Sequence, residues 1–378
     1  MSNNFLIGLD LKTLSLRSAG IGRYTISLVR QLIERSSFNY AGFISPNTEL
    51  SLLPQSNLRI INGTIKNIQS TLLRSALFLP SKASGCGVDL FHSLDNSTIG
   101  LISKPKFKRV STIHDLIVLI YPEFFTWKHA AVVKWMTSTT VKCSDHIIAD
   151  SHSTKNDLLR FYPEVAPDKI SVVHLAADGE FTRAPQDQID FFIDRYKLPN
   201  RYFLSLATNE PRKNLGLLIE AFIQMKTNSN YEEIGLVLAG GKGWLNSDIP
   251  LTDSNKQRYK IHSLGFVPDK YLPILYSGAL AFVYPSLYEG FGLPILEAMS
   301  CGQPIITSKI SSIPEIAGDA AIYIDPMSLD SIKNALIKIA DSRSCRELLS
   351  KQAMVESDKY SWQKTAEKTE AVYEKVLS

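Results

Sequence analysis

The sequence predicts an α/β protein with two doubly wound parallel sheets in tandem. Short apolar runs alternate with helix-length amphipathic segments along the chain, as is typical of parallel strands joined by crossover helices. At 378 residues the chain is also too long for one core, since single cores stop growing near roughly 250–300 residues. A stretch of weak core character, residues 176–200, interrupts the alternation, which then starts again from a new first strand.

The first half contains seven predicted strands. Strands buried on both faces of a parallel sheet read as continuous apolar runs, and these runs have that character. Amphipathic segments between them predict helices at residues 22–36 and 129–143. The predicted strands are residues 5–11, 40–45, 58–61, 89–93, 109–114, 146–150 and 170–175.

The second half predicts a second sheet and a terminal helix, with domain boundaries at 1–185, 186–360 and 361–378. The helix, residues 361–377, has an apolar face and is expected to pack back across the domain junction. Two such domains leave a cleft between the carboxyl edges of their sheets, where a ligand with two dissimilar ends is expected to bind. The predicted strands are residues 202–207, 234–240, 261–265, 279–284, 304–307 and 321–324.

The composition, 44% hydrophobic and 21% charged, is that of a folded enzyme. No apolar run reaches the roughly 20 residues needed to cross a bilayer, and the N-terminus lacks a signal-peptide pattern. Cytoplasmic localisation is therefore expected. The four cysteines lack CxxC pairing, which fits reduced buried thiols better than disulfides or zinc ligands. They are Cys86, Cys143, Cys301 and Cys345.

The net charge of +4 originates in the first half of the chain. Residues 1–190 contain 20 Lys and Arg against 16 Asp and Glu, while the remainder contains 21 of each class. Residues 60–110 are strongly basic and include the apolar segment 70–80. This region fits either a peripheral contact with an anionic inner-membrane surface or an ordinary solvated helix. Nucleic acid is disfavoured because the net charge is modest.

The segment 288–299, YEGFGLPILEAM, is the most informative pattern. It places Glu289 and Glu297 eight positions apart, across a glycine turn that follows an apolar strand. Pro294 suits the first helical position, so free backbone amides would point out of the sheet's carboxyl edge. The two carboxylates would then grip different parts of one polar ligand. The same pattern also fits an ordinary strand–turn–helix in which the helix dipole favours a glutamate in the first turn.

Three other strand ends of the second half carry residues that suit a ligand. Arg212 and Lys213 follow the run 202–207 beside a helix start, so they would make a seat for a diphosphate. A charged loop is the alternative. The end of the next strand permits close approach by a backbone or ligand, and the end of the strand after it could offer main-chain groups to a flat base. Those positions are Gly240, Gly241, Phe266 and Val267.

The first half offers weaker signals. Gly20 and Gly22 form a glycine turn that suits either a phosphate or sugar cradle or simple packing. His114 and Asp115 directly follow a buried strand, where a histidine can exchange a proton with a reacting hydroxyl. His92, at another strand end, competes for that role. His152 is expected at a helix entrance, capped by a neighbouring Ser or Thr.

Missing motifs also constrain the function. No two aspartates stand two positions apart, so the DxD clamp that holds a metal on a nucleotide-sugar diphosphate is absent. Neither GxxxxGKS nor GxSxG occurs, which disfavours P-loop NTPases and α/β-hydrolases. A leaving diphosphate would have to be stabilised by Arg212, Lys213 and helix amides, without a metal or other cofactor.

Several segments taken together resemble the retaining glycosyltransferases of family 4, which have the GT-B fold. They are RKNL, LAGG, LGFVP, YPSLYEGFGLPILEAMSCGQPII and PEIAGDAA in the second half, and AGIGRYT, THDL and SHSTKNDL in the first. The first-half segments resemble bacterial mannosyltransferase-like members. The resemblance implies an acceptor-binding first domain and a second domain that binds a nucleotide sugar.

The resemblance also implies roles for individual residues. Arg212 and Lys213 would bind the donor diphosphate, Glu297 the ribose, and Glu289 the sugar at the reacting carbon. His114 would lie near that sugar. Substrate contacts are further implied for Gly20, Gly22, Asp115, Gly240, Gly241, Phe266, Val267, Gly290, Phe291, Gly292 and Leu293.

The implied activity is metal-independent, retaining transfer of a hexose to a hydroxyl of a growing, lipid-linked bacterial surface glycan. Mannose from GDP-mannose is the first expectation for the donor, with a dTDP- or UDP-sugar as the alternative. A non-catalytic nucleotide-sugar-binding subunit is a third reading. The sequence does not decide between a front-face path and a covalent intermediate on Glu289.

Overall fold

The structure is a computed structural model of the chain. It describes residues 5–14, 20–35, 38–54, 58–62, 78–96, 105–208, 210–241 and 252–378. Most of the apolar segment 70–80 in the predicted basic region lies outside these residues. Among the helices of the described ranges, none is long and apolar enough to cross a membrane.

The chain divides into two compact units. Unit 1 comprises residues 1–175 and 361–378, and unit 2 comprises residues 176–360. The division falls between residues 175 and 176, not between 185 and 186 as the sequence suggested. The reason is packing, since Phe181 is buried with its ring 6.1 Å from that of Tyr276, and the Ala184 N–H donates to Ser277 Oγ at 2.9 Å. The stretch of weak core character thus opens unit 2.

Unit 1 contains a seven-stranded parallel sheet: β1 (Leu6–Asp10), β2 (Asn39–Ile44), β3 (Leu58–Asn62), β4 (Leu90–Ser93), β5 (Lys108–Ile113), β6 (His146–Ala149) and β7 (Ile170–Val172). The strand order is β3-β2-β1-β4-β5-β6-β7. Connections run in opposite directions from β1 and β4, so this pair is the switch point, where doubly wound sheets bind ligands.

Unit 2 contains a six-stranded parallel sheet: β8 (Arg201–Leu206), β9 (Ile234–Ala239), β10 (Ile261–Gly265), β11 (Ala281–Tyr284), β12 (Ile305–Ser308) and β13 (Ala321–Ile324). The order β10-β9-β8-β11-β12-β13 puts the switch point between β8 and β11. Every residue of β9 and β11 is buried, which explains their unbroken apolar sequences. All thirteen strands predicted from the sequence are confirmed.

Helices cover the sheets. Serine and threonine caps start several of them; Thr126 Oγ1, for example, accepts the N–H of His129, and Ser151 Oγ accepts that of Thr154, as expected for the entrance at His152. In unit 1 the helices are α1 (Gly20–Arg35), α2 (Leu79–Gly85), α3 (Ile117–Ile120), α4 (Trp127–Cys143) and α5 (His152–Phe161). In unit 2 they are α6 (Gln186–Tyr196), α7 (Leu215–Met225), α8 (Asp253–Tyr259), α9 (Leu272–Ser277), α10 (Leu293–Ser300), α11 (Ile313–Ala317), α12 (Leu329–Asp341) and α13 (Arg343–Ser357).

The last helix, α14 (Trp362–Leu377), belongs to unit 1. Its Tyr373 hydroxyl lies 2.7 Å from His92 Nδ1 in the core, and Thr365 Oγ1 donates to the His174 carbonyl at 2.8 Å. Tyr373 is fully buried. The C-terminal segment is therefore part of the first unit's core and not a separate appendage.

Candidate active site

The candidate site of unit 2 lies at the switch point of its sheet, where β8 and β11 end side by side. A short 3-10 turn, Pro211–Lys213, follows β8 and ends at Asn214, whose φ of 55° is left-handed. The Asn214 side-chain amide donates to the Pro326 carbonyl at 2.6 Å. The loop after β11 is tied to this turn by the Leu287 N–H, which donates to the Arg212 carbonyl at 2.7 Å.

Glu289 joins the two predicted cations. Lys213 Nζ donates to Glu289 Oε1 at 2.7 Å, and Arg212 Nη1 donates to Glu289 Oε2 at 2.7 Å. Lys213 also donates to the Tyr284 hydroxyl. Glu289 and Lys213 are both buried, so charge-assisted hydrogen bonds fix their positions in a low-dielectric setting. The structure thus brings together three of the four residues for which the sequence predicted catalytic roles.

Glu210 is a fourth member of this cluster that the sequence analysis missed. Its Oε2 accepts from Arg212 Nε at 2.7 Å, and its Oε1 pairs with the Thr208 hydroxyl. Arg212 is therefore held between two buried carboxylates. The charges of Glu210, Arg212, Lys213 and Glu289 sum to zero, which makes burial of all four tolerable. The sequence around Glu210 does not predict this contact. It forms because the Arg212 side chain reaches back across Pro211 to the Glu210 carboxylate.

The pKa values in the cluster reflect burial and mutual attraction. Burial alone would raise the pKa of Glu289, but the nearby positive charges of Arg212 and Lys213 outweigh it and lower the pKa to about 2. Burial and the Arg212 charge lower the pKa of Lys213 to about 8, against the opposing effect of Glu289. At neutral pH the carboxylate is ionised and the lysine is protonated, so the pair presents fixed charges.

Two serine side chains form hydrogen bonds with the backbone of the glycine turn at Glu289. The Glu289 N–H donates to Ser311 Oγ at 3.0 Å, and Ser312 Oγ lies 2.9 Å from the Glu289 carbonyl oxygen and 2.8 Å from that of Phe291. Gly292 has a φ of 108°, which only glycine adopts readily, and α10 begins directly after it at Leu293. The predicted turn through Gly290 is thus rigidly supported.

Glu297 lies inside α10 and is only 1% exposed. Its Oε2 accepts from the Tyr276 hydroxyl at 3.0 Å. Burial, and then the charge of Glu297, raise the pKa of the Cys301 thiol to about 12. The second glutamate of the pattern therefore has a helical position and a defined hydrogen-bond partner on α9.

The strand ends next to this cluster differ in exposure. Gly240 has a φ of 130°, and a Cβ there would lie 2.1 Å from the Ala207 carbonyl oxygen, so glycine is required where β9 passes the end of β8. Gly241 follows it directly. Phe266 is 68% exposed beyond β10, whereas Val267 is buried. Of the two residues expected near a base, only Phe266 presents its side chain to solvent.

His114 of unit 1 is a charged residue with both ring nitrogens engaged. Nδ1 lies 2.6 Å from Asp150 Oδ2, and Nε2 lies 3.0 Å from the Leu94 carbonyl oxygen. Both partners are acceptors, so each nitrogen carries a hydrogen. Burial lowers the pKa of His114, but Asp150 outweighs it and the pKa rises to about 9. The predicted proton exchange between His114 and a hydroxyl stays a prediction, and a substrate hydroxyl would have to displace one of these two partners.

His92, the competing histidine, is a core residue. It is fully buried, with Nδ1 2.7 Å from the Tyr373 hydroxyl and Nε2 2.8 Å from Thr112 Oγ1. Burial, and then the charge of His114, lower its pKa to about 3. His92 is thus a neutral hydrogen-bonding group, and the prediction that it competes for a catalytic role is wrong.

The other predicted residues of unit 1 lie near the switch point of its sheet. Asp115 Oδ1 accepts the Ile117 N–H at 3.2 Å and so helps to start α3. Gly20 opens α1, and Gly22 is buried within it. Lys12 was not predicted from the sequence; its Nζ lies 2.9 Å from Asp95 Oδ2 and 3.7 Å from Asp10 Oδ2. The only sequence signal for this ion-pair cluster is that Asp10 and Asp95 lie at the ends of β1 and β4.

Two family descriptions cover most of the chain. "Glycosyltransferase Family 4" matches residues 18–181, and "Glycosyl transferases group 1" matches residues 187–355. The chain belongs to the family 4 glycosyltransferases. The membership predicted from the ordered segments is thereby confirmed.

This glycosyltransferase is 29% identical over 368 residues to O-antigen chain mannosyltransferase B of Escherichia coli, a match that covers 94% of this chain and 95% of the relative. It is 31% identical over 266 residues to the serotype-specific mannosyltransferase WbdA of Escherichia coli, covering 69% of this chain but 32% of WbdA. Sucrose-phosphate synthase from Thermosynechococcus elongatus has a similar structure, with a TM-score of 0.77 at 18% identity over 99% of both chains. The glycosyltransferase has the GT-B fold, as predicted.

Proposed function

We propose that this glycosyltransferase moves mannose from GDP-mannose, with retention and without a metal, to a hydroxyl of a growing lipid-linked bacterial surface glycan. The observation that carries the proposal is the buried cluster of Arg212, Lys213 and Glu289 at the switch point of the unit 2 sheet. The names of the relatives, both O-antigen or serotype mannosyltransferases, support mannose and the class of acceptor.

In this proposal the two cations receive the donor's diphosphate. Negative charge grows on the diphosphate as the sugar–phosphate bond breaks, and cations fixed in advance stabilise that charge without reorganising. Arg212 is oriented by carboxylates on both sides, and Lys213 is held by Glu289 and Tyr284. No step then requires a metal ion.

The glycine turn and α10 bind the remainder of the donor. The amides at Gly290, Phe291, Gly292 and Leu293 lie at a helix start, where partial positive charge favours phosphate or hydroxyl oxygens. Glu289 is assigned to the sugar and Glu297 to the ribose. Since the Glu297 carboxylate already accepts from Tyr276, it would bind the ribose through its remaining acceptor capacity.

The reaction can be tested with purified protein and a lipid-linked glycan acceptor. We expect GDP release from GDP-mannose that depends on the acceptor, an α-configured product by NMR, and equal rates with and without EDTA. Abolition of activity by EDTA would overturn metal independence, and an inverted product would overturn retention. A protein that binds the donor but transfers no sugar to any acceptor would favour the non-catalytic reading.

A thermal-shift screen of GDP-, UDP- and dTDP-sugars tests the donor separately. A cognate donor at a hundredfold excess over its Kd should stabilise the protein by about 3 kcal/mol. Stabilisation by GDP-mannose alone is expected. A larger shift with a UDP- or dTDP-sugar would replace GDP-mannose in the proposal and leave the reaction class unchanged.

A further inference from the structure

Helix α4 exposes an unusual number of large apolar side chains on one face. Trp127 is 76% exposed, Trp135 52% and Val132 45%. At 100° per residue these three side chains, together with the exposed Ala131, lie on one side of the helix. A single exposed apolar side chain is ordinary, but several on one face form a patch, and such patches mark interaction surfaces.

The opposite side of α4 anchors the helix to unit 1. Ala130, Thr137, Thr140 and Val141 are buried there. Thr140 Oγ1 donates to the Asn96 carbonyl at 2.7 Å. The exposed face is therefore held in a fixed orientation by a packed one, and its tryptophans are not needed for that packing.

The charge of α4 is entirely positive. Residues 127–143 contain Lys128, Lys134 and Lys142 and no Asp or Glu. Lys128 and Lys142 are exposed on the same face as the tryptophans, and Lys128 Nζ lies 5.6 Å from the centroid of the Trp127 ring. This face of α4 thus combines exposed indole rings with lysines and has no acidic residue. It is complementary to a surface with an anionic outer layer and an apolar layer beneath it.

We propose that this face of α4, formed by Trp127, Ala131, Val132 and Trp135 with Lys128 and Lys142, docks onto an anionic phospholipid surface. Indole rings partition into the interfacial layer of a bilayer, where the ring is buried and the N–H stays hydrated. Lysines beside them contact lipid phosphates with their ammonium groups, and their alkyl stems lie along the apolar layer. The helix lies in the plane of the surface and does not span it.

This surface is separate from the one suspected in the sequence, which centred on residues 60–110. It also goes beyond the proposed function, since it requires neither mannose nor GDP. A second protein is the competing occupant. Protein partners of a basic face usually supply acidic side chains, and such a contact would form in solution without lipid.

Vesicle co-sedimentation tests the proposal with the full-length protein. We expect binding to vesicles of phosphatidylcholine mixed with phosphatidylglycerol, little binding to phosphatidylcholine alone, and weaker binding in high salt because screening removes the lysine contribution. The double variant Trp127→Ala, Trp135→Ala should bind the mixed vesicles at least about tenfold more weakly. Lys128→Glu should weaken binding to the mixed vesicles and leave the weak binding to phosphatidylcholine unchanged.

Matched controls separate this surface from general stickiness and from misfolding. Phe191→Ala removes an aromatic ring that is 64% exposed on unit 2 and should bind like the wild type. The tryptophan variants should keep the thermal unfolding midpoint and the transfer rate to a water-soluble acceptor, since neither tryptophan belongs to the cation cluster. Loss of transfer in the wild type itself would count against the proposed function and not against docking.

Two results would overturn the proposal. One is vesicle binding that is absent in the wild type or unchanged in the double tryptophan variant. The other is a wild-type dimer by analytical ultracentrifugation that becomes a monomer in the double variant without lipid, since a second copy of the chain would then occupy the face. Quenching of tryptophan fluorescence by brominated lipid, lost in the double variant Trp127→Phe, Trp135→Phe, would independently support insertion.

Discussion

At the scale of single residues, the central feature is that both cations of the candidate site are neutralised before any donor binds. Arg212 is bonded to Glu210 and Glu289, and Lys213 is bonded to Glu289. Buried cations without such partners would be costly and would not keep one geometry. The carboxylates therefore build the diphosphate seat, and an incoming diphosphate must share or replace their hydrogen bonds.

Lys213→Ala and Glu289→Gln should each lower kcat by about 10²–10³. The first removes a positive charge from the leaving diphosphate, and the second removes a carboxylate that fixes both cations. Initial rates with saturating donor and acceptor measure the loss, with circular dichroism to check the fold. Lys333→Ala, which breaks an exposed ion pair with Asp330, is the control and should keep full activity. Near-normal rates in either site variant would contradict the assignment.

The pKa of Lys213 predicts an alkaline limit to catalysis. Because that pKa is about 8, kcat/KM for the donor should fall as the pH rises above about 8 and the lysine loses its charge. The negative charge of Glu210 helps to keep Lys213 protonated. Glu210→Gln should therefore shift the alkaline limb of the pH–rate profile to lower pH.

This shift distinguishes two roles for Glu210. If Glu210 acts on catalysis through Arg212 and Lys213, the alkaline limb moves; if it only stabilises the fold, the limb stays where it is. Glu220→Gln, at an exposed position on α7, is the matched control and should leave the profile unchanged. An unchanged limb in Glu210→Gln, or no alkaline limb in the wild type, would show that Lys213 does not titrate in the working range.

Residue pairs were harder to predict than single residues. Arg212, Lys213 and Glu289 were found because each follows a recognisable strand, and strand ends of one parallel sheet meet at one edge. The bond between His114 and Asp150 was not predicted, because the sequence gives no separate sign that β5 and β6 bring these two side chains within 2.6 Å. That contact raises the pKa of His114, and the catalytic role of this histidine stays a prediction.

At the scale of elements, the strands were predictable from the sequence, but the boundary between the two units was not. The run 279–284 reads as a strand because β11 is buried on both faces. The segment before α6 was assigned to the wrong side of the boundary because Phe181 is a single apolar residue among polar ones. Its contact with Tyr276 is made across more than ninety positions of sequence, and no local pattern reports it.

The packing of α14 into unit 1 should contribute to the stability of that unit. Tyr373→Phe removes the hydroxyl bonded to His92 and leaves a buried nitrogen without that partner, which should lower the free energy of unfolding by about 1–3 kcal/mol. Equilibrium urea unfolding measures the change. Glu374→Ala, at the exposed neighbouring position, should change stability by less than about 0.5 kcal/mol. Equal effects in both variants would mean that the Tyr373–His92 bond contributes nothing.

At the scale of the whole molecule, the two units use the chain differently. Unit 2 is one continuous segment, residues 176–360, with apolar clusters on both faces of its sheet. Unit 1 is discontinuous, since its core includes Trp362, Val372 and Tyr373 from the far end of the chain. Residues 361–378 therefore complete the core of the first unit.

This organisation predicts different behaviour for fragments of the chain. Residues 176–360 should fold alone and unfold cooperatively, whereas residues 1–175 should lack a cooperative transition because the surface under α14 is uncovered. Thr365 Oγ1 lies 2.8 Å from the His174 carbonyl oxygen, so a short flexible linker should suffice to join residue 175 to residue 361. That fusion should restore a cooperative transition by circular dichroism, and the same fusion with Tyr373→Ala should not. Cooperative unfolding of residues 1–175 alone would show that α14 stabilises unit 1 without being needed to form it.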